Sequence, residues 1–131
     1  SLGSGLTTIN AGAMLQVAES GEAALGGDLT LKNGACLGFN YTTRNPPVLN
    51  LTDRNVTFEE GEATNIVVKI SSSNGKRPYG GVNVLTSDGK FSGVTVSKAA
   101  DNPDWVKDIY VDDNGNIVFQ AKPRGTRIIV R

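Results

Sequence analysis

The chain has 131 residues, enough for one domain or for the end piece of a longer repeat protein, and its 13 Lys and Arg balance 13 Asp and Glu to a net charge of zero. The basic residues are scattered, unlike the clustered basic footprint of a nucleic-acid binder. With no histidine and one cysteine, the chain has no Ser-His-Asp or Cys-His catalytic set and no internal disulfide.

The first eleven-residue stretch of interest runs from Thr7 to Val17, Thr-Thr-Ile-Asn-Ala-Gly-Ala-Met-Leu-Gln-Val. It returns as Leu29 to Phe39, Leu-Thr-Leu-Lys-Asn-Gly-Ala-Cys-Leu-Gly-Phe, at an offset of 22 residues. Thr8 matches Thr30, Ile9 matches Leu31, Gly12 matches Gly34, Ala13 matches Ala35 and Leu15 matches Leu37. Each copy reads as strand, tight turn, strand. Alternation puts Ala35, Leu37 and Phe39 on one face and Cys36 and Gly38 on the other. Gly12 and Gly34 suit corners that need positive φ. Cys36, at the repeat position of Met14, reads as a small apolar filler. Between the copies, Glu19 to Gly27 is rich in Gly and Ala and reads as a loop at a corner. A shorter third copy is expected at Leu49-Asn50-Leu51, a polar turn at Thr52-Asp53-Arg54, then Val56-Thr57-Phe58.

Arg44-Asn45-Pro46-Pro47 is a break, since paired prolines cannot sit within a ladder. Glu59-Glu60-Gly61-Glu62 is an acidic turn. Asn65 to Ile70 is the strongest strand, with Ile66, Val68 and Ile70 on one face. A polar loop from Ser71 to Gly81 leads to a strand at Val82 to Thr86 and a turn at Asp88-Gly89-Lys90. Val94 to Val96 is a short strand and Ala99 to Asp104 a loop. Ile109 to Val111 and Ile117 to Phe119 flank Asn114-Gly115, a strong hairpin signal. The chain closes with Pro123-Arg124-Gly125 and a strand from Thr126 to Arg131, where Arg124, Arg127 and Arg131 would blunt a sheet edge. No segment carries a helical period over ten residues. No apolar run reaches the roughly 20 residues of a membrane helix, so no membrane insertion of this segment is expected, and no signal peptide is visible. The abrupt start at Ser1-Leu2-Gly3-Ser4-Gly5 reads as a fragment of a longer protein.

An all-β repeat of this period predicts stacked coils, a β-solenoid of about 20–22 residues per coil in the N-terminal half. Residues 1–63 form coils; residues 64–131 continue them in the same domain and end in a β-hairpin cap. The repeats at 7–17 and 25–39, with their Thr/Val-rich strands and Asn-x-Gly or Gly-Gly corners, resemble the passenger repeats of bacterial autotransporter-type surface proteins over about residues 6–58. The resemblance implies a right-handed β-helix, exported and displayed at the bacterial cell surface or released outside the cell. It implies a stalk, adhesin or scaffold, since only some such passengers carry an enzyme. No translocator barrel follows in this chain.

Candidate sites are few. Asp112-Asp113-Asn114-Gly115-Asn116 lacks the Gly position and distant Glu of a calcium loop and reads as a hairpin turn. Glu59, Glu60 and Glu62 read as a solvated turn rather than converging carboxylates. Asn40, Asn50 and Asn55 head glycosylation sequons that an Asn- and Thr-rich chain produces by chance. Trp105 with Asp104, Asp108 and Tyr110 is the candidate ligand site; Asp101 could join it, in a groove suited to a sugar. Trp105 as a packing residue is the competing reading. A polysaccharide lyase would need Arg124 or Lys107 to meet Asp108 or Asp112. No cofactor and no metal is expected. The expected function is a non-catalytic structural or adhesive role. The expected partner is a host or cell-surface glycan or protein, with self-association through an exposed N-terminal coil as a further expectation. The alternative is a carbohydrate-binding β-sandwich using Trp105 and its acidic neighbours.

Overall fold

A computed structural model describes residues 5–17, 21–41, 47–72, 78 and 80–122. Alternating burial along short segments makes strands of them, and their order builds the fold. The first triplet is β1 (Thr7–Ile9), β2 (Met14–Val17) and β3 (Gly21–Ala24). The second is β4 (Leu29–Leu31), β5 (Cys36–Tyr41) and β6 (Pro47–Asn50). The third is β7 (Val56–Phe58), β8 (Asn65–Ser72) and β9 (Gly80–Thr86). After these come β10 (Thr95–Lys98), β11 (Val106–Val111) and β12 (Ile117–Ala121). One 3-10 turn, Gly61–Ala63, is the sole helical element among the described residues.

The pairing follows the triplets. One sheet has the order β1-β4-β7, a second β10-β8-β5-β2, and a third β11-β12-β9-β6-β3. Each triplet therefore adds one strand to every sheet, and all pairings among the triplets are parallel. The protein is all-β with parallel and mixed sheets.

Register turns the sequence repeat into columns. Ile9 pairs with Leu31 and Leu31 with Phe58. Leu15 pairs with Leu37 and Leu37 with Val68. Val17, Phe39 and Ile70 form the next column, and Ala23, Leu49 and Leu85 another. Nearly all of these side chains join one buried core. A fully buried Leu or Phe contributes about 1.5–3 kcal/mol through burial alone, so the inward columns are the main source of stability.

Corners are stacked as well. Gly12 N–H donates to Gly34 O (3.1 Å) and Gly34 N–H to Asn65 O (2.8 Å). Asn33 Oδ1 accepts from Asn65 N–H (2.8 Å). Gly12 and Gly34 sit at φ 79° and 89°, as the corner requires.

Three expectations change. Gly21–Ala24, expected as loop, is a strand paired with Pro47–Asn50. Weak local β preference is overridden because Ala23 finds a register partner in Leu49. The expected third copy is displaced: Val56–Phe58, not Leu49–Leu51, pairs with Leu29–Leu31. Leu49 instead belongs to β6, and the segment Glu59 to Thr64 lengthens the next corner. Cys36 is no core filler. It sits half-buried on the outward face between Met14 and Val67, because alternation turns Leu37 inward. Pro47 opens β6, a strand start being the position a sheet tolerates for proline. Beyond the triplets, β10 continues the parallel stack on β8, while β12 joins β9 antiparallel and β11 joins β12. The expected last strand and its arginines lie outside the described residues.

Candidate functional site

The loop between β10 and β11 shapes a concavity. Asn102 anchors it. Its side-chain Oδ1 accepts from Ile70 N–H (2.9 Å) and its Nδ2 donates to Val68 O (3.1 Å). The amide thus replaces a strand residue along the edge of β8, past the point where β10 ends. Ala99 N–H donates to Val68 O (3.0 Å), and Lys122 N–H to Trp105 O (2.8 Å). Lys98 Nζ reaches across to Lys107 O (2.6 Å).

The resulting groove, about 510 Å³, has buried Val106 with Pro103 at its floor and Lys98, Lys107, Lys122, Asp104 and Asp108 around it. Lysine ammonium and carboxylate groups on one open rim can bind the hydroxyl and carboxylate groups of a polar ligand.

The structure divides the four residues expected to act together. Asp104 and Asp108 line the groove. Trp105 is half-buried and packs inward, its ring 6.4 Å from Tyr41 in a T-shaped contact and 6.3 Å from Phe119. Tyr110 is exposed on the hairpin, where Gln120 Nε2 approaches its hydroxyl at 3.4 Å. Asp101 turns to Lys69 in an exposed ion pair of 2.7 Å. That hydrogen bond holds the Asp101 carboxyl below its ordinary range and the Lys69 ammonium above its own. Lys107 and Asp108 share the groove, Asp112 serves the hairpin turn, and Arg124 lies outside the described residues.

Beneath Trp105, Tyr41 is fully buried, edge-on to Phe119 at 6.0 Å. Among the described residues its hydroxyl has no hydrogen-bond partner, and neither does Ser72 Oγ at the register position beside it. Burial pushes the Tyr41 phenol well above its usual range. Burial likewise raises the Cys36 thiol, with nearby Lys69 opposing.

A second concavity was not evident from the sequence. It is lined by Thr52, Thr86, Asp88, Gly89, Asn114 and Asn116, also about 510 Å³. Two turns meet there: Gly89 N–H donates to Asn114 O (2.9 Å), and the buried Ser87 hydroxyl donates to Gly115 O. Both turns were readable from Asp88-Gly89 and Asn114-Gly115, but nothing local signals that they touch. A Cβ on Gly115 would lie 2.5 Å from Gly89 Cα, so the contact requires glycine. Asp112 Oδ1 accepts from the N–H groups of Asn114 and Asn116, both at 2.9 Å, which occupies it in turn formation. Glu59 accepts from Asn33 N–H (3.1 Å) and pairs with Lys32 at 3.7 Å. Among the described residues no group of three His, Cys, Asp or Glu is placed to hold a metal, and no helix is long and apolar enough to cross a membrane.

Fold and grooves together define an all-β protein of stacked parallel strands with open polar concavities at its loop-bearing end. No protein-family profile matches the chain, and neither a curated protein nor a solved structure matches it.

Proposed function

We propose that this chain is a segment of a right-handed β-helix, exported by a bacterium and displayed at the cell surface or released. Its role is non-catalytic, structural or adhesive: a rigid stalk whose exposed loops meet a glycan or protein. One observation carries the reading. Three successive triplets each add one in-register parallel strand to all three sheets. Coil-on-coil stacking of this kind makes rods whose stability is a sum of neighbour contacts. The groove beside Trp105 supports the adhesive half of the reading, since its charged rim is open to solvent.

The alternative, a carbohydrate-binding β-sandwich, needs two facing antiparallel sheets and an aromatic platform. The triplets pair in parallel, and Trp105 packs edge-on to Tyr41 and tilted against Phe119 instead of paving the groove. Acrylamide quenching of Trp105 separates the two. The stalk reading expects a partly shielded tryptophan whose quenching no glycan changes, even where a glycan binds the lysine rim. A glycan that protects Trp105 from acrylamide would favour the sandwich module instead.

A further inference from the structure

We propose that Asn114 is a modification site at which the chain deamidates itself, and that the docking of its turn on the Asp88-Gly89 turn holds the reaction in check. The chemistry needs an asparagine followed by a residue whose backbone nitrogen can reach the side chain, and glycine hinders that approach least. Among the described residues, Asn33 and Asn114 are the asparagines that precede glycine; the others precede residues with side chains. At Asn114 the Gly115 nitrogen attacks the side-chain Cγ. The new N–C bond closes a succinimide ring, the Cγ–Nδ2 bond breaks, and the amide leaves as ammonia with the proton that the Gly115 nitrogen gives up. Water then opens the ring at either carbonyl, leaving aspartate or isoaspartate at position 114.

The two Asn-Gly pairs are held differently. At Asn33 both reacting groups are tied to the third triplet: Asn33 Oδ1 accepts from Asn65 N–H and Gly34 N–H donates to Asn65 O, both at 2.8 Å. Asn65 opens β8, an interior strand of its sheet, so freeing Asn33 means parting the stack. Asn114 instead is exposed on the rim of the second concavity. A clamp on the peptide units around the Gly115 nitrogen restrains it. Gly115 N–H donates to Asp112 O (3.0 Å), Gly89 N–H to Asn114 O (2.9 Å), and the Ser87 hydroxyl to Gly115 O. The first bond is made within the turn; the other two come from the Asp88-Gly89 side. Separation of the two turns therefore loosens the nitrogen while the stack stays closed, and turns open at lower free energy than core strands. The reaction runs one way. Isoaspartate adds a methylene to the main chain beside Gly115, where even a Cβ would lie 2.5 Å from Gly89 Cα. Aspartate adds a carboxylate to the rim that Asp88 already lines. The isoaspartyl product keeps the turns apart, and both products leave the concavity more acidic.

Peptide mapping by mass spectrometry of the folded chain, held at neutral pH, tests this against a synthetic peptide of residues 108–122 held in the same way. Conversion is expected at Asn114, slower than in the peptide, with Asn33 intact. Ser87→Ala removes one bond of the clamp. It is expected to speed conversion at Asn114 about tenfold, the gain in open population that one lost buried hydrogen bond brings, with Asn33 and Trp105 emission unchanged. The proposal is overturned by a folded chain in which Asn114 does not convert, converts as fast as the peptide, or converts after Asn33. A Ser87→Ala variant that keeps the parent's rate overturns the clamp. Should Ser87→Ala release Asn33 as well, the parent in rising urea decides. Conversion at Asn114 is then expected to quicken at concentrations where Asn33 and Trp105 emission are still native, and both asparagines quickening together would overturn the local opening.

Discussion

Among the described residues Tyr41 is the largest fully buried side chain. Its phenol packs against Trp105 and Phe119, and its hydroxyl has no hydrogen-bond partner among the described residues. An unpaired buried hydroxyl costs about 1–3 kcal/mol of desolvation. Tyr41→Phe removes that polar group and leaves the ring contacts, so the variant is expected to be as stable as the parent or more so by about 1 kcal/mol. The same burial raises the phenol's pKa in the folded state. Above about pH 10 the unfolded tyrosine loses its proton while the folded one keeps it. The unfolded state then binds fewer protons, so stability falls as pH rises through that range and is intact below it. Urea titrations at rising pH should show a steeper loss for the parent than for Tyr41→Phe, by up to about 1.4 kcal/mol per pH unit. Parallel slopes would mean that the phenol is hydrated or paired in solution.

At the scale of elements, what could be read from sequence depended on whether the determining contact is local. The repeat at 7–17 and 29–39 was legible because alternation and corner glycines act within a few residues, and their register followed: Met14 does face Cys36, and Leu15 does face Leu37. The hairpin of β11 and β12 was legible from Asn114-Gly115, with Gly115 at φ 75°. β3 was hidden, since Gly-Glu-Ala-Ala carries almost no strand signal and is held by β6. The third coil was misplaced because Val56 pairs with Leu29 at an offset of 27 residues where Leu29 pairs with Thr7 at 22, the added length lying between Leu31 and Val56, before the acidic turn. Of the residues grouped from the sequence, Asp104 and Asp108 line the groove and Asp101 turns to Lys69, whereas the inward packing of Trp105 depends on Tyr41, far away in sequence. Asn102 was missed for the same reason: its partners, Ile70 N–H and Val68 O, belong to a different coil. Its amide fixes the groove's loop with two bonds, one donated and one accepted. Asn102→Ala is expected to cost about 1–2 kcal/mol and to open residues 99–105 to proteolysis before the rest of the chain. Uniform resistance, with unchanged urea midpoint, would show that Ala99 and Lys122 suffice to hold it.

Across the whole molecule, stacking in one direction makes stability uneven. A strand with neighbours on both sides keeps its hydrogen bonds when one neighbour frays, and an end strand does not. In the second sheet β5 and β8 are interior, β2 and β10 terminal. Ile66, Val68, Ile70, Leu37 and Phe39 on these interior strands are fully buried. Their amides are expected to exchange with solvent only through global unfolding. Inward-bonded amides of β1 and β2 should exchange orders of magnitude faster in dilute solution, through opening of the first coil alone. Equal protection throughout the dilute chain would instead describe one cooperative unit, in which the first coil is held as firmly as the core columns beneath it. Fast exchange confined to the first coil would describe an end strand set that frays apart from the core.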